Sequence, residues 1–570
     1  MTAQAVPAGS SVFARMRGHL RSLRPGRRDY ADLRATWRAD LVAGVTVGIV
    51  ALPLALGFGV SSGLSASEGL ITAIVAGFLA AVFGGSNVQV SGPTGAMVVV
   101  LLPIVASHGA GAVAVVSILA GVLVALAGLL KLGRTVGVIP WPVIEGFTLG
   151  IGVIIFLQQI PSVTSPEGVG AGGHSTNALV AALQSIAEAD WGYVAWAVGI
   201  AVVVIACMLV AGRIHPSVPG SLLGIVVATL LCLALPTPLA VIGALPSGLP
   251  APSLPTFDVA ALPDLAGPVV AVAALAAIES LLSARVAASM ANTGPYNADR
   301  ELVGQGIASV GAGLFGGMPA TGAIARTAVN IRAGARTRLA SVVHAVVLLC
   351  VVLFAAGPVG MIPLAALAGI LMLTAWRMVN WATAASIMRS TRADAAAFLL
   401  TAIVTVAFDL IIAVVIGVVV AAFFALRNLA RVTRVTREAV PGEPEPGDER
   451  IAIVRFDGPL IFASGDRIFD EVMAFDDIHV VILRMSSVEV IDATGAHVLE
   501  DIVKSLERRG VTVLIKGVQA RHEELFRTVG VLRALRHSRH LFDDLGDAVV
   551  HARSHIERAG LRGGPAQSGG

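Results

Sequence analysis

The chain has 570 residues, of which only 14% are charged, and its mean hydropathy is +0.83. This composition excludes a wholly soluble globular protein, which would carry far more charge at this length. The formal net charge of +3 excludes little, because it sums a membrane domain and a soluble domain.

Lysine and arginine are absent from long apolar intervals of the chain. Three such intervals are Arg38–Lys131, Arg134–Arg213 and Arg213–Arg285. Because basic residues stay on the cytoplasmic side of a membrane protein, each interval is expected to hold an even number of crossings. The first interval is long enough for four crossings, and each of the others for two.

This reasoning predicts fourteen transmembrane segments in a membrane domain at 41–430, with both termini in the cytoplasm. A basic cytoplasmic N-terminus, 1–40, precedes the domain. Amphipathic stretches at 177–188 and 379–391 occupy matching places in the two halves. The predicted segments lie at about 41–60, 67–84, 92–107, 112–131, 142–161, 192–212, 219–236, 267–288, 301–316, 321–333, 340–356, 362–376, 393–408 and 409–427.

One sixteen-residue pattern occurs twice, at Leu70–Gly85 and Leu302–Gly317, and each copy ends in Phe-Gly-Gly. A short proline-containing stretch, the tripeptide Thr-Gly-Ala and a new apolar helix follow each copy. The pattern predicts two related halves, at about 41–236 and 267–428. Seven segments in each half is an odd number, so the second half would be inverted. Inverted repeats with an interrupted helix in each half are typical of transporters whose substrate lies between the halves.

Each interrupted helix would begin in the middle of the membrane, where its first N–H groups cannot be left to lipid. A helix N-terminus also carries partial positive charge, so two facing N-termini form an anion site from backbone alone. The alternative is that glycine and proline here only permit tight helix packing or a kink. The residues that would form the site are Ser91, Gly92, Pro93, Thr94, Gly95, Ala96, Thr321, Gly322, Ala323, Ile324, Ala325 and Arg326.

Two charged residues fall within the predicted segments, Glu279 and Arg326. A charge in the membrane costs about 3 kcal/mol or more, so each needs a partner or an ion. Arg326 would add a full positive charge to the anion site, while Glu279 would balance it or carry a coupling proton; alternatively, the two form a structural pair. Ser283, one turn beyond Glu279, would contact an ion or its own helix backbone. His344 and Asp409 are interpreted as satisfied or interfacial residues.

A soluble domain is predicted after a linker at 431–448 that is rich in proline and glutamate. Strands and helices alternate over 449–555, which indicates a small α/β domain, and a disordered tail is expected at 556–570. Asp492 and Thr494 precede the central helix and are interpreted first as its N-terminal cap. The predicted strands are 451–456, 479–485 and 511–517, and the predicted helices are 466–474, 496–509 and 521–529.

Residues 40–555 resemble the SulP family of anion transporters, the bacterial relatives of prestin and pendrin. The resemblance implies a uracil-transporter-like fold, elevator-type alternating access, a homodimer in the bacterial inner (plasma) membrane and a C-terminal STAS domain. In proteins similar to that domain, the hydroxyl residue before the glycine is phosphorylated, which implies a regulatory role for Asp492 and Thr494 and a cytoplasmic regulator. The resemblance rests on ALPLALGFGV, FGGSNVQVSGPTGA, AAIESLLSARVA, ELVGQGIASVGAGLFGG, TGAIARTAVNIRAGARTRLAS and the linker-plus-tail layout.

Departures from the family pattern bear on the substrate. The first segment resembles sodium–bicarbonate transporters of the family, which hold sodium with a carboxylate, a hydroxyl and a threonine. Glu279 and Ser283 keep the first two, but Ile324 replaces the threonine and offers no oxygen. Many members carry glutamine after Pro53, where this chain has Leu54. The expected substrate is sulfate first and bicarbonate second, with chloride or dicarboxylates as further alternatives, moved by proton coupling or exchange without sodium.

Two other functions remain open at this point. One is a membrane-anchored signalling protein that acts through its STAS domain, and the other is a nucleobase carrier of the same fold, against which the charge of Arg326 argues. The sequence shows no nucleophile–base pair and no cluster of metal ligands. An enzyme is therefore not expected, nor is a cofactor, a bound metal or a nucleic-acid partner; the expected partners are a small inorganic anion and the lipid bilayer.

Overall fold

The computed structural model describes residues 22–26, 29, 33–133, 140–166, 177–214, 219–255, 262–290, 296–407, 416–424, 426, 434–461 and 465–560. The chain divides into two compact units, Met1–Val418 and Val419–Gly570. The first unit is mostly helical and the second is a mixed α/β unit.

The first unit contains sixteen labelled helices and two short strands within the described residues. Residues 416–424 are also helical. The bounds are α1 Leu33–Ser61, α2 Ala66–Phe83, β1 Ser91–Gly92, α3 Gly95–His108, α4 Gly111–Leu129, α5 Trp141–Gln158, α6 Ile160–Thr164, α7 Ala178–Ala187, α8 Trp191–Ile214, α9 Gly220–Ala234, α10 Leu262–Met290, α11 Ala298–Leu314, β2 Thr321–Gly322, α12 Ile324–Arg332, α13 Leu339–Gly360, α14 Leu364–Met378, α15 Trp381–Arg389 and α16 Arg392–Ala407.

A helix lies over each predicted membrane segment, although part of the last one, 409–427, falls outside the described residues. Within the described residues, eight stretches are long and apolar enough to cross a membrane, whereas α3 and α9 are shorter apolar helices. The nine-residue α12 is shorter still. The amphipathic stretches form α7 and α15. Helices α3 and α12 are short, as expected for helices that are interrupted inside a membrane domain.

Helix α1 begins at Leu33, well before the predicted segment at 41. The reason is Asp40, which is fully buried and accepts hydrogen bonds from the backbone N–H groups of Arg336 (2.7 Å) and Thr337 (2.9 Å). The Thr337 hydroxyl donates a further bond of 2.7 Å to the same carboxylate. The start of α1 is thus held against the turn before α13, a tertiary contact that hydropathy does not register.

The two Phe-Gly-Gly motifs close α2 and α11 against each other. A Cβ on Gly85, after α2, would overlap the carbonyl oxygen of Asn297, just before α11. A Cβ on Gly317, after α11, would come within 2.7 Å of the hydroxyl of Thr72, near the start of α2. The end of each helix therefore packs on the beginning of the other, so α2 and α11 run antiparallel and only glycine fits at these contacts.

The second unit is built on a five-stranded sheet of order β3-β4-β5-β6-β7. Strands β4 to β7 pair in parallel, and β3 pairs antiparallel with β4. The bounds are β3 Arg434–Glu438, β4 Ile451–Asp457, α17 Gly465–Met473, β5 Val480–Arg484, α18 Ala493–Arg508, β6 Thr512–Lys516, α19 Ala520–Val529, α20 Val531–Ala534, β7 Leu541–Phe542 and α21 Leu545–Arg558, with 3-10 turns at Asp448–Arg450 and Ser538–His540.

The predicted strands and helices of the α/β domain each coincide with an observed element, but the predicted linker was partly wrong. Within 431–448, residues Arg434–Glu438 form the edge strand β3. Apart from Val435, its side chains are charged or polar, and Glu438 pairs with Arg455 of β4 at 3.0 Å and with Arg484 of β5 at 2.7 Å. An edge strand with polar faces lacks the apolar alternation that identifies a strand in sequence. Helix α21 also extends to Arg558, past the predicted domain end at 555.

We expect Gly85→Ala to lower the thermal stability of the detergent-solubilised protein, because the added methyl group overlaps the backbone of Asn297. Overpacking of this kind costs about 1–3 kcal/mol. The matched control is Gly199→Ala in α8, where nothing lies within 4 Å of an added Cβ. A melting temperature that falls equally in both variants, or in neither, would contradict the close packing of α2 on α11.

Candidate anion site between two half-helices

Strands β1 and β2 pair antiparallel, with Ser91 opposite Gly322 and Gly92 opposite Thr321. Each strand is followed within two residues by a helix, α3 from Gly95 and α12 from Ile324. The short ladder therefore brings the N-termini of two helices from different repeats to one place. This is the arrangement expected for Ser91 to Ala96 and Thr321 to Arg326.

The pairing also corrects the sequence match of the two Thr-Gly-Ala tripeptides. Ser91 and Thr321 are each the first residue of their strand, and Gly92 and Gly322 are each the second. Thr94 is the N-cap residue of α3, whereas Thr321 lies within β2, so the two threonines occupy different structural positions. The stretch after the first Phe-Gly-Gly is longer, and its extra residues bond to α12. The carbonyl of Val88 accepts the side-chain amide of Asn330 at 2.8 Å, and the N–H of Val90 donates to the hydroxyl of Thr327 at 3.0 Å.

Neither half-helix has a side chain that caps its N-terminus. The first-turn N–H groups of a helix have no partner within the helix, so they remain for a ligand. In α3 these groups belong to residues around Gly95 and Ala96, which are buried, and in α12 to residues around Ala325, which is exposed. Buried donors with partial positive charge on one side and an open approach on the other suit a small anion.

Arg326 brings a full positive charge to the same place. Its side chain is nearly fully buried, with 2% exposed, and one guanidinium nitrogen, Nη2, donates to the carbonyl of Pro93. The other nitrogen, Nη1, has no hydrogen-bond partner. A Cβ on Gly92 would lie only 2.7 Å from Nη1, so glycine makes room for the guanidinium. A buried donor without a partner indicates that something absent from the protein itself completes the site.

Glu279, on α10, accepts hydrogen bonds from two threonine hydroxyls, that of Thr94 at 2.9 Å and that of Thr321 at 2.8 Å. The two hydroxyl oxygens are 3.1 Å apart. Glu279 and Arg326 both belong to the described part of the chain, and their charged atoms do not come within the 4.0 Å of an ion pair. The two groups are therefore not in direct contact: the carboxylate ties α3 and β2 together through threonines, and the guanidinium bonds to the carbonyl of Pro93. Their role as a structural charge pair stays a prediction.

Three further hydroxyl residues, Ser280, Ser283 and Thr327, lie beside the site, and only Ser283 was predicted from the sequence. The hydroxyl of Ser280 accepts the N–H of Gly322 at 3.1 Å, which fixes β2 on α10. The hydroxyl of Ser283 lies 3.4 Å from that of Thr327 on α12, and both residues are buried. Ser283 thus faces the half-helix rather than its own helix backbone. The small polar residues of the stretch ESLLS, spaced along one apolar helix, were the available signal for Ser280.

A polar network lies behind β1 and was not predicted. The side-chain amide of Gln305 donates to the hydroxyl of Ser91 at 2.6 Å and to Glu301 at 2.8 Å. The other carboxylate oxygen of Glu301 accepts the N–H groups of Gly85 and Ser86 at 2.7 and 3.0 Å. The network joins the first Phe-Gly-Gly turn to the strand that presents the half-helix, and all its members are buried or nearly so.

His344, on α13, contradicts its interpretation as a satisfied or interfacial residue. It is fully buried, and neither ring nitrogen has a hydrogen-bond partner. A Cβ on Gly77 would lie 3.5 Å from its ring and 3.3 Å from the carbonyl of Ser91, so the ring lies beside the strand of the site. The sequence cannot show whether the ring of His344 has hydrogen-bond partners, because such partners lie on helices that are distant in the chain. Asp409 lies outside the described residues.

Apolar side chains form the remaining wall of the site. Pro53 and Leu54 are buried in α1, and Leu54 belongs to the same apolar cluster as Phe58 and Ile155. A Cβ on Gly95 would overlap Ile155 and lie 3.3 Å from the ring of Phe58. Phe58 and Ile155 therefore pack directly on the start of α3, and neither was singled out by motif.

In the second unit, Asp492 is the N-cap residue of α18 and accepts the N–H of Gly495 at 2.7 Å. Thr494 is exposed in the first turn. A Cβ on Gly495 would overlap the carbonyl of Leu460, which accounts for the glycine. The capping role of Asp492 is confirmed, and the regulatory role of both residues stays a prediction.

Two facing half-helices within a polytopic helical domain, joined to an α/β domain, define a membrane transporter rather than an enzyme. The chain belongs to the sulfate permease family, whose model matches residues 37–401, and a STAS domain model matches residues 445–548. It is therefore a multi-pass membrane protein of an anion-transporting family, and the resemblance inferred from the motifs is confirmed.

Relatives in this family have names that refer to more than one anion. YvdB of Bacillus subtilis, named as a sulfate transporter, is 35% identical over 519 residues, which cover 89% of this chain and 96% of YvdB. The bicarbonate transporter BicA of Synechocystis is 32% identical over 543 residues, which cover 90% of this chain and 94% of BicA. Family membership thus implies anion transport but does not choose the anion.

Solved structures share the fold. The murine anion transporter Slc26a9 in its inward-facing state superposes with a TM-score of 0.78 at 18% identity, covering 97% of this chain and 96% of that one. The transmembrane domain of the cyanobacterial transporter BicA gives a TM-score of 0.59 at 30% identity, covering 68% of this chain and 97% of that one. The predicted fold class, a polytopic helical transporter with a C-terminal STAS domain, is confirmed.

We expect Gly92→Ala to weaken anion binding at least tenfold while the protein still folds, because the new Cβ displaces the guanidinium of Arg326. The control is Gly109→Ala. Both glycines have positive φ, +153° and +78°, but nothing lies within 4 Å of a Cβ on Gly109, so the control carries backbone strain without the clash. Anion affinity measured by calorimetry separates the two; equal losses would assign the effect to strain.

Proposed function

We propose that the protein is a secondary active transporter of a small inorganic oxyanion, with sulfate as the first substrate and bicarbonate as the second. The observation that carries the proposal is the buried guanidinium of Arg326, whose Nη1 has no partner and lies beside Gly92, just before the uncapped helix α3. One full and two partial positive charges converge there, and a doubly charged oxyanion with several acceptor oxygens uses all three.

Proton coupling through Glu279 is supported by its hydrogen bonds. Its carboxylate accepts from the hydroxyls of Thr94 and Thr321. A hydroxyl both donates and accepts, so a protonated carboxyl can give its proton to either threonine and keep the same contacts. Glu279 is also partly exposed, which provides a route for the proton. Binding and release of a proton would therefore change the charge beside the anion without dismantling the site.

A sodium-driven cycle is disfavoured by the start of α12. Ile324, the first residue of that helix, has no oxygen to offer a cation. Arg326, two residues on, places a permanent positive charge beside the same helix end. Sodium requires several oxygen ligands and repels a fixed cation, so exchange or proton coupling fits better.

Alternating access of the elevator type is supported by a difference in packing. Helices α2 and α11 meet through backbone at glycines, and β1 joins β2, so both half-helices belong to one rigid body. Its contacts with α5 and α14 run through side chains instead, Ile155 on Gly95 and Leu371 on Gly57. Apolar side-chain contacts can slide, and the proposed motion carries the site past α5 and α14.

The remaining assignments extend the same proposal. The transport domain would span 41–430 and the STAS domain 449–555, with both termini in the cytoplasm of a bacterial cell. A homodimer and a cytoplasmic regulator acting at Asp492 and Thr494 complete it. The alternative from another class, a membrane-anchored STAS signalling protein, predicts partner binding that depends on Thr494 and no anion flux.

In proteoliposomes, we expect uptake of radiolabelled sulfate to follow an imposed proton gradient or counter-anion and to be absent with a sodium gradient alone. Arg326→Ala should reduce uptake at least a hundredfold, because it removes the only full positive charge assigned to the site. The matched control is Arg332→Ala, at the exposed end of the same helix, which should transport normally.

Uptake driven by sodium alone would contradict the roles of Ile324 and Arg326. Unchanged uptake in Arg326→Ala would contradict the charge assignment itself. Bicarbonate uptake that exceeds sulfate uptake under the same gradient would select the second candidate substrate and leave the site assignment intact.

A further inference from the structure

Three histidine side chains meet in the second unit, in a place that neither the family assignment nor the transport site accounts for. His540 ends the 3-10 turn before β7, while His551 and His555 lie one turn apart on α21. Their ring centroids are 5.0 to 5.6 Å apart. One ligand nitrogen from each lies within 4.8 Å of the others. The spacing His-x-x-x-His on a helix was a signal present in the sequence that the expectation of no metal-ligand cluster did not weigh.

His540 is buried and keeps one ring nitrogen without a hydrogen-bond partner. The residue is 1% exposed, and its ring is hydrogen-bonded to the backbone of Val513. Its Nδ1 has no partner, so the bond to Val513 uses Nε2 and leaves Nδ1 free. A backbone bond on the distal nitrogen that fixes the tautomer is the usual support of a metal-binding histidine.

The distance between the two helical histidines matches a metal site. Their Nε2 atoms are 3.4 Å apart. In a tetrahedral zinc site with Zn–N bonds of about 2.0–2.1 Å, two ligand nitrogens are about 3.3–3.4 Å apart. Two nitrogens of α21 therefore already have this separation, and a ligand nitrogen of His540 lies within 4.8 Å of both.

Metal binding requires the neutral form of each ring. Burial, the positive charge of Arg558 and the neighbouring histidines together lower the pKa of His555 to about 4. Burial likewise lowers the pKa of His540 and of His551. The charged or titratable groups named around the cluster are Arg536, Arg558, His479 and His537, and none of them is a carboxylate.

We propose that His540, His551 and His555 bind a divalent transition-metal ion, zinc first, through three neutral imidazoles with a fourth position open to water. Three imidazoles without a carboxylate favour zinc, copper or nickel over magnesium or calcium. The ion would join α21 to the turn that leads into β7 and so fasten the end of the sheet. The alternative is a metal-free histidine cluster in which the short Nε2–Nε2 contact is a neutral hydrogen bond.

A second group in the same unit provides the control. His497, Glu500 and Asp501 also bring three ligand atoms together, but His497 is exposed and Glu500 forms an ion pair with Lys504 at 2.6 Å. A carboxylate already neutralised by lysine is a poor metal ligand. A histidine removed there tests whether any surface cluster would bind the metal.

The test uses the tag-free full-length chain in detergent, stripped of metal and titrated with zinc, and then with cobalt as a spectroscopic probe. We expect one zinc per chain by elemental analysis and the visible absorption of tetrahedral cobalt. His551→Gln and His555→Gln should each weaken binding at least a hundredfold, whereas His497→Gln should bind as the unmodified chain does.

Two outcomes would overturn the proposal: no zinc bound at micromolar concentration, or binding lost in His497→Gln and kept in the other variants. A measurement that needs no variant covers the case in which a substitution prevents folding. In the unmodified chain, zinc should slow hydrogen exchange of α21 and of the turn before β7, and unchanged exchange there would identify the metal-free cluster.

Discussion

The first unit depends on one constraint, which is that a helix beginning inside a membrane must have its first N–H groups satisfied. The protein meets it only in part. A ladder between β1 and β2 pairs the backbone before each half-helix, but neither α3 nor α12 receives a side-chain cap. The groups that remain without a partner are N–H donors, and those of α3 and α12 come together at the ladder. The tight glycine packing of α2 on α11 follows from the same need, because it places the two strands within pairing distance.

The two half-helices each follow a strand of the ladder but differ in charge, because only α12 carries an arginine in its first turn. The guanidinium of Arg326 therefore enters from one side only and bonds to Pro93. Glu279 also comes from one half only, on α10, but it accepts hydrogen bonds from hydroxyls of both halves, those of Thr94 and Thr321. In the proposed site, the paired half-helices supply the backbone donors, and the side chains of Arg326 and Glu279 supply the charges. A buried histidine without partners, His344, lies against the same strand.

Prediction from the sequence succeeded where a feature depends on local composition. The apolar segments, the interrupted helices and the parallel strands of the second unit all have local hydropathy or turn signals. It failed where the feature depends on a distant partner. The edge strand at Arg434–Glu438 is polar because its charges pair with neighbouring strands, and the two Thr-Gly-Ala tripeptides match in letters but not in structural position. Three histidines separated along the chain meet only because β7 and α21 fold back on the sheet.

The sequence by itself determined that the chain is a polytopic membrane protein with two related halves, each with a half-helix, because burial in lipid requires long apolar runs and leaves glycine and proline at the breaks. It also determined that Arg326 and Glu279 lie within the membrane domain. Only the tertiary structure decided that these two make their direct hydrogen bonds to other residues and not to each other. Glu279 bonds to Thr94, which is 185 residues away, and Arg326 to Pro93, which is 233 residues away. Such partners are set by how helices cross, and no local pattern in the chain records the geometry of a crossing.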